Sequence, residues 1–456
     1  MKGGLDNILG AVGRTALVRL QRVVPGDFQG ELYGKCEFLN PSGSSGDRIA
    51  EALVDDAERQ GALKPGGTLV EATSGNTGAA LALVAAVRGY GAVFVVPDKA
   101  SPEKVAALRA FGHRVVVCPS AVEPSDPRSH HAVARKIAED TPGAVLLRQH
   151  HNPANPEAHY RTTGPELWDQ TGGELDVLVG GLGTGGTLSG AGRYLKERKP
   201  SIKVVGVDPV GSLVHDFVKH GLLTRAFPYK VEGIGEDFFP STLDAKVLDD
   251  VVRVDDRECF LMTRELVRRE GLFCGGSAGA AVAGALKWAR GRKEKCVVLL
   301  PDGAGRYLSK VFNDDWMREN GFLAEDKTLG TVRELLAGRA QNLVTARSDD
   351  TLRHVIGTMK AHGISQVPVL DGDQLRGILS EVTVLRNLVS GEAHLDSTIA
   401  PIVETDYATV TPDTRIDLLQ NVLADAKAAL VIDGPALLGI IAKIDVIDYL
   451  ARRVTA

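Results

Sequence analysis

At 456 residues, 44% hydrophobic and 24% charged, the chain has the composition of a soluble globular protein and too much length for one core, so two or three domains are expected. A formal net charge of −5 leaves no basic footprint for a nucleic-acid partner. Five cysteines (Cys36, Cys118, Cys259, Cys274, Cys296) stand apart in sequence, which argues against a disulfide framework or metal site and fits a reducing, cytoplasmic setting. No run is long enough to span a bilayer and Met1-Lys2-Gly3-Gly4 opens no apolar signal core, so no membrane association is expected.

In chain order, Asn40-Pro41-Ser42-Gly43-Ser44-Ser45-Gly46-Asp47-Arg48 reads as a serine-rich loop before a helix over Ile49–Arg59. A strand at Thr68–Glu71 then enters Glu71-Ala72-Thr73-Ser74-Gly75-Asn76-Thr77-Gly78 and a helix over Ala79–Val87. Hydroxyls and an amide packed around glycine suit a carboxylate; a helix cap needs one such residue, and this loop has four. Ala92–Pro97 and Pro102–Phe111 repeat the strand–helix step, followed by a strand at Arg114–Cys118. The strand at Val177-Leu178-Val179 runs through Gly180-Gly181-Leu182-Gly183-Thr184-Gly185-Gly186-Thr187 into a helix over Leu188–Arg198. Successive N–H groups at such a helix start form an anion site. Gly181, Gly183 and Gly186 also satisfy Gly-x-Gly-x-x-Gly, and Asp208 lies about twenty residues on, so a dinucleotide site stands as one reading of this loop. Finally Cys274-Gly275-Gly276-Ser277-Ala278-Gly279 leads into the small-residue helix Ala280–Ala285, where one hydroxyl in a glycine frame suits either a flat ring nitrogen or close helix packing. Val/Leu runs alternating with helices predict an α/β fold whose parallel strands are buried on both faces.

These four loops, in this order, resemble the fold-type II pyridoxal-phosphate enzymes that carry out β-replacement on serine-like amino acids. Val231-Glu232-Gly233-Ile234-Gly235-Glu236-Asp237-Phe238, Val205-Gly206-Val207-Asp208-Pro209, Leu300-Pro301-Asp302 and Asp315-Trp316-Met317 resemble the cystathionine β-synthase branch more than cysteine synthases. The resemblance displaces the dinucleotide reading. It implies two parallel-sheet subdomains over residues 1–325, with pyridoxal 5′-phosphate as cofactor. Its phosphate is implied at Gly183, Thr184, Gly185, Gly186 and Thr187, its ring 3′-oxygen at Asn76 and its ring nitrogen at Ser277. Thr73, Ser74, Thr77 and Gln149 are implied to grip the substrate carboxylate. A hydroxyl opposite the ring nitrogen leaves that nitrogen largely unprotonated, a moderate electron sink. The implied reaction condenses serine with homocysteine to cystathionine and water, with cysteine synthesis from O-acetylserine and sulfide as the alternative. A homodimer or larger homo-oligomer is expected, without haem or metal.

One position departs from that pattern. The family's Schiff-base lysine falls at Gly46, although Ser44, Asp47 and Arg48 around it are in place. Glycine supplies neither amine nor base, and losing proton transfer alone costs about 10²–10⁴ in rate. Three readings follow: an engineered trap, a lysine–cofactor adduct written as glycine, or a catalytically silent binder. Lys35, the nearest lysine, lies in a predicted strand and is not expected to substitute.

Residues 326–456 carry two similar β-α-β-β-α units about sixty residues apart, over roughly 331–392 and 393–456. They resemble the paired regulatory repeats that share the synthase's name. An Asp after a strand in such repeats is implied to hold the ribose of an adenosyl effector, S-adenosylmethionine first and adenine nucleotides second. Asp445 has that position in the second unit, as ribose ligand or as helix N-cap; the first unit has Thr383 instead. A purely dimerising role for the tail is the other reading.

Overall fold

The computed structural model describes residues 4–73, 75–120, 122, 126–222, 226–323, 329–337, 343–405, 407–425, 428–433 and 436–454. The chain divides into two compact units, Met1–Ala324 and Glu325–Ala456. The first opens with an antiparallel pair, β1 (Leu17–Leu20) on β2 (Glu31–Cys36), followed by α1 (Gly46–Arg59). Alternation follows in β3 (Thr68–Ala72), α2 (Asn76–Arg88), β4 (Gly91–Pro97), α3 (Pro102–Ala110), β5 (Arg114–Cys118), α4 (His130–Asp140) and β6 (Ala144–Leu146). After α5 (Ala154–Arg161) and α6 (Thr163–Thr171) come β7 (Val177–Gly181), α7 (Gly186–Arg198), β8 (Lys203–Pro209), α8 (Val214–His220) and β9 (Asp250–Val254). The unit closes with α9 (Asp256–Glu270), α10 (Gly276–Trp288), β10 (Lys295–Leu300) and α11 (Asp314–Glu319).

The strands form two sheets. One is parallel throughout, in the order β5-β4-β3-β6; the other runs β1-β2-β10-β7-β8-β9 and is parallel except at β1. Both faces of the larger sheet are buried, and strand alternation sorts them. Val177, Val179, Val298 and Leu300 face one core with Ala281 and Val282 of α10, while Leu178, Val297 and Leu299 face another with Leu188 and Leu195 of α7. Burying each such side chain contributes about 1.5–3 kcal/mol. In the smaller sheet Leu69 packs with Leu53 of α1 and Leu81 of α2, and Val70 and Ala72 pack with Ala134 of α4.

Two local features position the loops. Helices α2 and α7 start at Asn76 and Gly186, inside the glycine loops and ahead of the apolar runs that betray them in sequence, so their first N–H groups belong to the loops. The start of α1 is clamped from outside. Arg48 makes two contacts with Glu37 (Nε–Oε2 2.6 Å, Nη2–Oε1 2.7 Å) and a third with Glu166 at 3.0 Å, and Glu166 also holds Lys35. Removing one partner from such a buried set costs about 3–5 kcal/mol.

The second unit contains α12 (Val332–Ala337), α13 (Leu352–His362), β11 (Gln366–Asp371), β12 (Gln374–Ser380), α14 (Glu381–Ser390), β13 (Ala408–Val410), α15 (Ile416–Asp425), β14 (Ala428–Asp433), β15 (Ala436–Ala442) and α16 (Lys443–Val454). The two repeats complete each other's cores. Val332 and Leu335, at the start of the first repeat, pack with Val410, Leu419 and Val431 of the second. Ala393 and Ile399, which follow the first, pack back on Leu352, Val367 and Leu379. The opening strand expected of the first β-α-β-β-α unit is reduced to a single parallel bridge, Ala346 to Val369.

Candidate active site

The first unit holds a cavity of about 770 Å³, within the usual range for small-molecule sites. Its wall includes Ser45, which precedes α1, and Gly46, its first residue; Thr73, Asn76 and Thr77 from the β3–α2 turn; Gln149; and Gly183, Thr184, Gly185 and Thr187 from the β7–α7 turn. The turns therefore meet at the C-terminal ends of β3 and β7, where open parallel sheets bind ligands. Ser74 lies outside the described residues.

At the β7–α7 turn crowding by the buried Asn155 side chain and by the Gly233 carbonyl favours glycine. A Cβ on Gly186 would stand 2.0 Å from Asn155 Oδ1, and one on Gly183 would stand 2.8 Å from Gly233 O. Asn155 donates to Thr184 Oγ1 at 3.0 Å, and Thr184 Oγ1 accepts also from Gly186 N–H. Thr187 Oγ1 lies 3.1 Å from His159 Nε2, while His159 Nδ1 lies 2.8 Å from Thr163 Oγ1. Burial, reinforced by Arg48, pushes His159 down to about 3, so the ring is neutral and serves as scaffold. An N-terminal turn of α7 with two hydroxyls is a donor set for a dianionic phosphate.

On the opposite wall Thr77 Oγ1 donates to Gln149 Oε1 at 2.7 Å, and Gln149 Nε2 donates to Ala72 O at 2.9 Å. Thr73 Oγ1 accepts from Gly75 and Gly78 N–H, shaping the turn around Gly75, whose φ of +128° favours glycine. Beneath them lies Glu71, whose Oε1 accepts from Gln149 N–H and whose Oε2 has no protein partner. Burial lifts its carboxyl to about 7. Asn76 donates from Nδ2 to Asp302 Oδ2 at 2.8 Å, and its buried Oδ1 finds no protein partner.

Ser277, in the first turn of α10, is buried behind this wall, with its Oγ 3.5 Å from Asp302 Oδ1. Gly46 is the first residue of α1 and faces the cavity, with Asn76 O 3.0 Å and Thr77 Cα 3.1 Å from where its Cβ would stand. Lys35 is locked to Thr15 O, Gln170 Oε1 and Glu166, and Lys99 and Lys230 are the lysines on the cavity wall among the described residues. Asp208, the dinucleotide candidate, is fully buried in β8, accepts from His215 N–H and does not reach the cavity.

Several residues on or behind the wall have roles that the sequence does not show. Asn155 and His159 line the cavity and Asp302 lies behind Asn76, and the contacts to Thr184, Thr187 and Asn76 come from 28 or more residues away, so no local pattern marks them. His130, His131 and His150 line the cavity near Phe238, and only the doubled histidines at 130–131 and 150–151 hint at them. Burial and neighbouring histidines hold His130 down at about 4 and His131 at about 3. For His150 burial opposes charge, but Glu236, 3.3 Å away, raises its pKa overall. Among the described residues no group of three His, Cys, Asp or Glu side chains is arranged for a metal, and no helix is long and apolar enough to cross a membrane.

The pattern of the pyridoxal-phosphate dependent enzymes matches residues 8–302. The chain belongs to that family. A second pattern, the CBS domain, matches residues 323–390. The chain is 38% identical over 467 residues to a cystathionine beta-synthase of Dictyostelium discoideum, covering 98% of this chain and 93% of the relative. It is 40% identical over 308 residues to a cysteine synthase of Staphylococcus aureus, covering 67% and 96%. Among solved structures it is similar to an O-ureido-L-serine synthase lysine-to-alanine mutant with O-ureido-L-serine bound, at a TM-score of 0.62 and 38% identity over 71% of this chain and all of that one. The pyridoxal-phosphate family's cofactor fits the residues present: the α7 donors suit its phosphate, and the buried amide of Asn76 still has an unfilled bond.

In the second unit Asp445 is the third residue of α16, and its Oδ2 accepts from Ala442 N–H at 2.7 Å. It reaches back across the helix start in the manner of a capping box, so it is not itself the N-cap. At the equivalent place in the first repeat, Thr383 and Ser380 both donate to the carboxylate of Glu404.

Proposed function

We propose that the first unit binds pyridoxal 5′-phosphate in this cavity and catalyses, or in its Gly46 form arrests, β-replacement of the serine hydroxyl by the thiol of homocysteine, giving cystathionine and water. The observation that carries the reading is the meeting of the β3–α2 and β7–α7 turns in one cavity, with Asn76 tied to Ser277 through Asp302. When bound, the cofactor supplies an electron sink for charge developing at the substrate α-carbon.

The chain's own residues do the rest. The first N–H groups of α7 with Thr184 and Thr187 hold the phosphate, and the neutral His159 keeps the Thr187 hydroxyl in place. Thr73, Ser74, Thr77 and Gln149 orient the substrate carboxylate, with Glu71 anchoring Gln149 from below. At Gly46 no side chain moves the α-proton, so this chain binds cofactor and amino acid without rapid turnover.

Intact mass separates the readings of position 46: a mass matching glycine supports the trap or silent binder, and lysine plus cofactor supports an adduct. Turnover of a Gly46→Lys variant, compared with homocysteine and with sulfide, tests the substrate. The Staphylococcus relative favours the sulfide reading, and much faster turnover with sulfide than with homocysteine overturns ours.

The second unit, roughly residues 326–456, is read as a regulatory pair whose Asp445 holds the ribose of an adenosyl effector, with S-adenosylmethionine ahead of adenine nucleotides. Calorimetry on the parent and on Asp445→Ala checks this; absence of heat with both S-adenosylmethionine and ATP ends it. A cytoplasmic homodimer completes the reading, supported for location by five buried free cysteines.

A further inference from the structure

The cavity has a second end, between the start of α4 and residues 226–238, whose side chains have no part in holding the phosphate or the serine carboxylate. Residues 233–235 join the two ends. Gly233 O lies 2.8 Å from the would-be Cβ of Gly183, and the Tyr229 hydroxyl lies 2.7 Å from that of Gly235. Glu236, next in the chain, meets His150 Nε2 with one carboxylate oxygen at 3.3 Å. The His131 ring stands edge-on to His150 and to Phe238, with centroids 5.5 and 5.4 Å apart. Lys99 holds its ammonium 4.6 Å over the Tyr229 ring, and Lys230 is the next residue after that tyrosine. Both lysines are exposed on the cavity wall, and neither has an ion pair among the described residues. Lys35, Lys104 and Lys310, by contrast, are each held by a glutamate.

This end therefore offers charges of both signs around aromatic rings. Lys99 and Lys230 supply the positive groups, Glu236 and Asp237 the negative ones, and His130, His131 and His150 line the space between. Sulfide has nothing to match such a set. An α-amino acid carries a carboxylate and an ammonium on one carbon and matches it group for group. Aromatic edges also suit a sulfur and its methylenes. We propose that this end docks the second substrate as a zwitterionic amino-acid thiol, with Lys99 and Lys230 taking its carboxylate, Glu236 its ammonium, and its sulfur free to reach the amino acid held at Thr73, Thr77 and Gln149. This rests on the cofactor and serine placement proposed above and gives the thiol of that reading a site of its own. The three charged residues act in selecting an amino-acid thiol over sulfide and take no part in proton transfer.

The test is calorimetry on the full chain loaded with pyridoxal phosphate and serine, titrated with homocysteine and with two thiols that each lack one charged group, 4-mercaptobutyrate (no ammonium) and 3-mercaptopropylamine (no carboxylate). The paired change Lys99→Gln and Lys230→Gln is expected to weaken homocysteine and 4-mercaptobutyrate about tenfold and to leave 3-mercaptopropylamine unchanged. Glu236→Gln is expected to do the converse, weakening homocysteine and 3-mercaptopropylamine and sparing 4-mercaptobutyrate. A general loss of structure weakens all three thiols alike and cannot produce this crossed pattern. Equal effects on all three, no effect on any, or homocysteine binding no tighter than uncharged propanethiol overturns the proposal. Should Glu236→Gln fail to fold, the two exposed lysines decide alone by the same comparison. A parent chain that retains cofactor and serine but no homocysteine overturns this docking site only, whereas one that retains no cofactor overturns the reading beneath it.

Discussion

Glycine has opposite meanings at the two ends of the cavity. At the β7–α7 turn, Gly186 sits where any side chain collides with Asn155, 2.0 Å from its would-be Cβ, and Gly183 sits where one meets a backbone carbonyl at 2.8 Å. At the α1 end the would-be Cβ of Gly46 is 3.0 Å from Asn76 O and 3.1 Å from Thr77 Cα, a gap that a shift of a few tenths of an ångström relieves. The glycines of the β7–α7 turn are demanded by packing; Gly46 is not. On the function proposed above, the site holds what binding needs and lacks only the group that chemistry needs, because holding an anion takes backbone N–H groups whereas moving a proton takes a side chain.

The largest expected effect breaks the symmetry from the α1 end. Gly46→Lys should raise β-replacement by about 10²–10⁴ and add a visible absorbance band on loading with cofactor, provided the α2 start yields. Spectra and steady-state rates check it; binding without any gain in rate would mean that the rest of the site is not competent. From the other end, Gly186→Ala should lower stability by about 3 kcal/mol and abolish cofactor retention, measured by denaturant melts and dialysis. Loss of that size at Gly186 beside tolerance at Gly46 is the sharpest form of the contrast.

A smaller effect concerns the floor under Gln149. Glu71 titrates near 7 in the folded chain against 4.5 ordinarily, so the folded state binds the extra proton between those values. Its contribution is fully present below about 4.5 and is lost as pH rises through about 7, on the order of 3 kcal/mol. Melts of the parent should weaken across that window more steeply than melts of Glu71→Gln. Smallest is Thr77→Val, which removes the 2.7 Å bond to Gln149 and should weaken serine binding by about 1 kcal/mol, with cofactor affinity unchanged.

Much of the cavity wall was legible in the chain because it is built from local turns. Each loop carries its own glycines, hydroxyls and helix start, and Thr73, Asn76, Thr77, Gln149 and the Gly183–Thr187 turn meet in one cavity. The α2 and α7 starts were read three and two residues late, since the apolar run that marks a helix begins after its polar first turn. Asp302 was quoted in the sequence only as part of a resemblance. Its role depends on Asn76, 226 residues away, and on Ser277, 25 residues away. Glu404 at Thr383 was likewise invisible, because the carboxylate missing from one helix start arrives from a different segment.

By itself the amino-acid sequence determined the α/β alternation, the glycine-rich strand-to-helix turns and the absence of a side chain at position 46, all consequences of propensities and sterics acting over a few residues. The tertiary structure alone decided which loops share a cavity, that Asp208 stays out of it, that Lys35 is locked in an ion-pair network, and that one buried carboxylate joins Asn76 to Ser277. Those outcomes depend on contacts between segments far apart in the chain, among them the two separate sheets that carry β3 and β7 and the parallel order β2-β10-β7, which no short stretch of chain encodes.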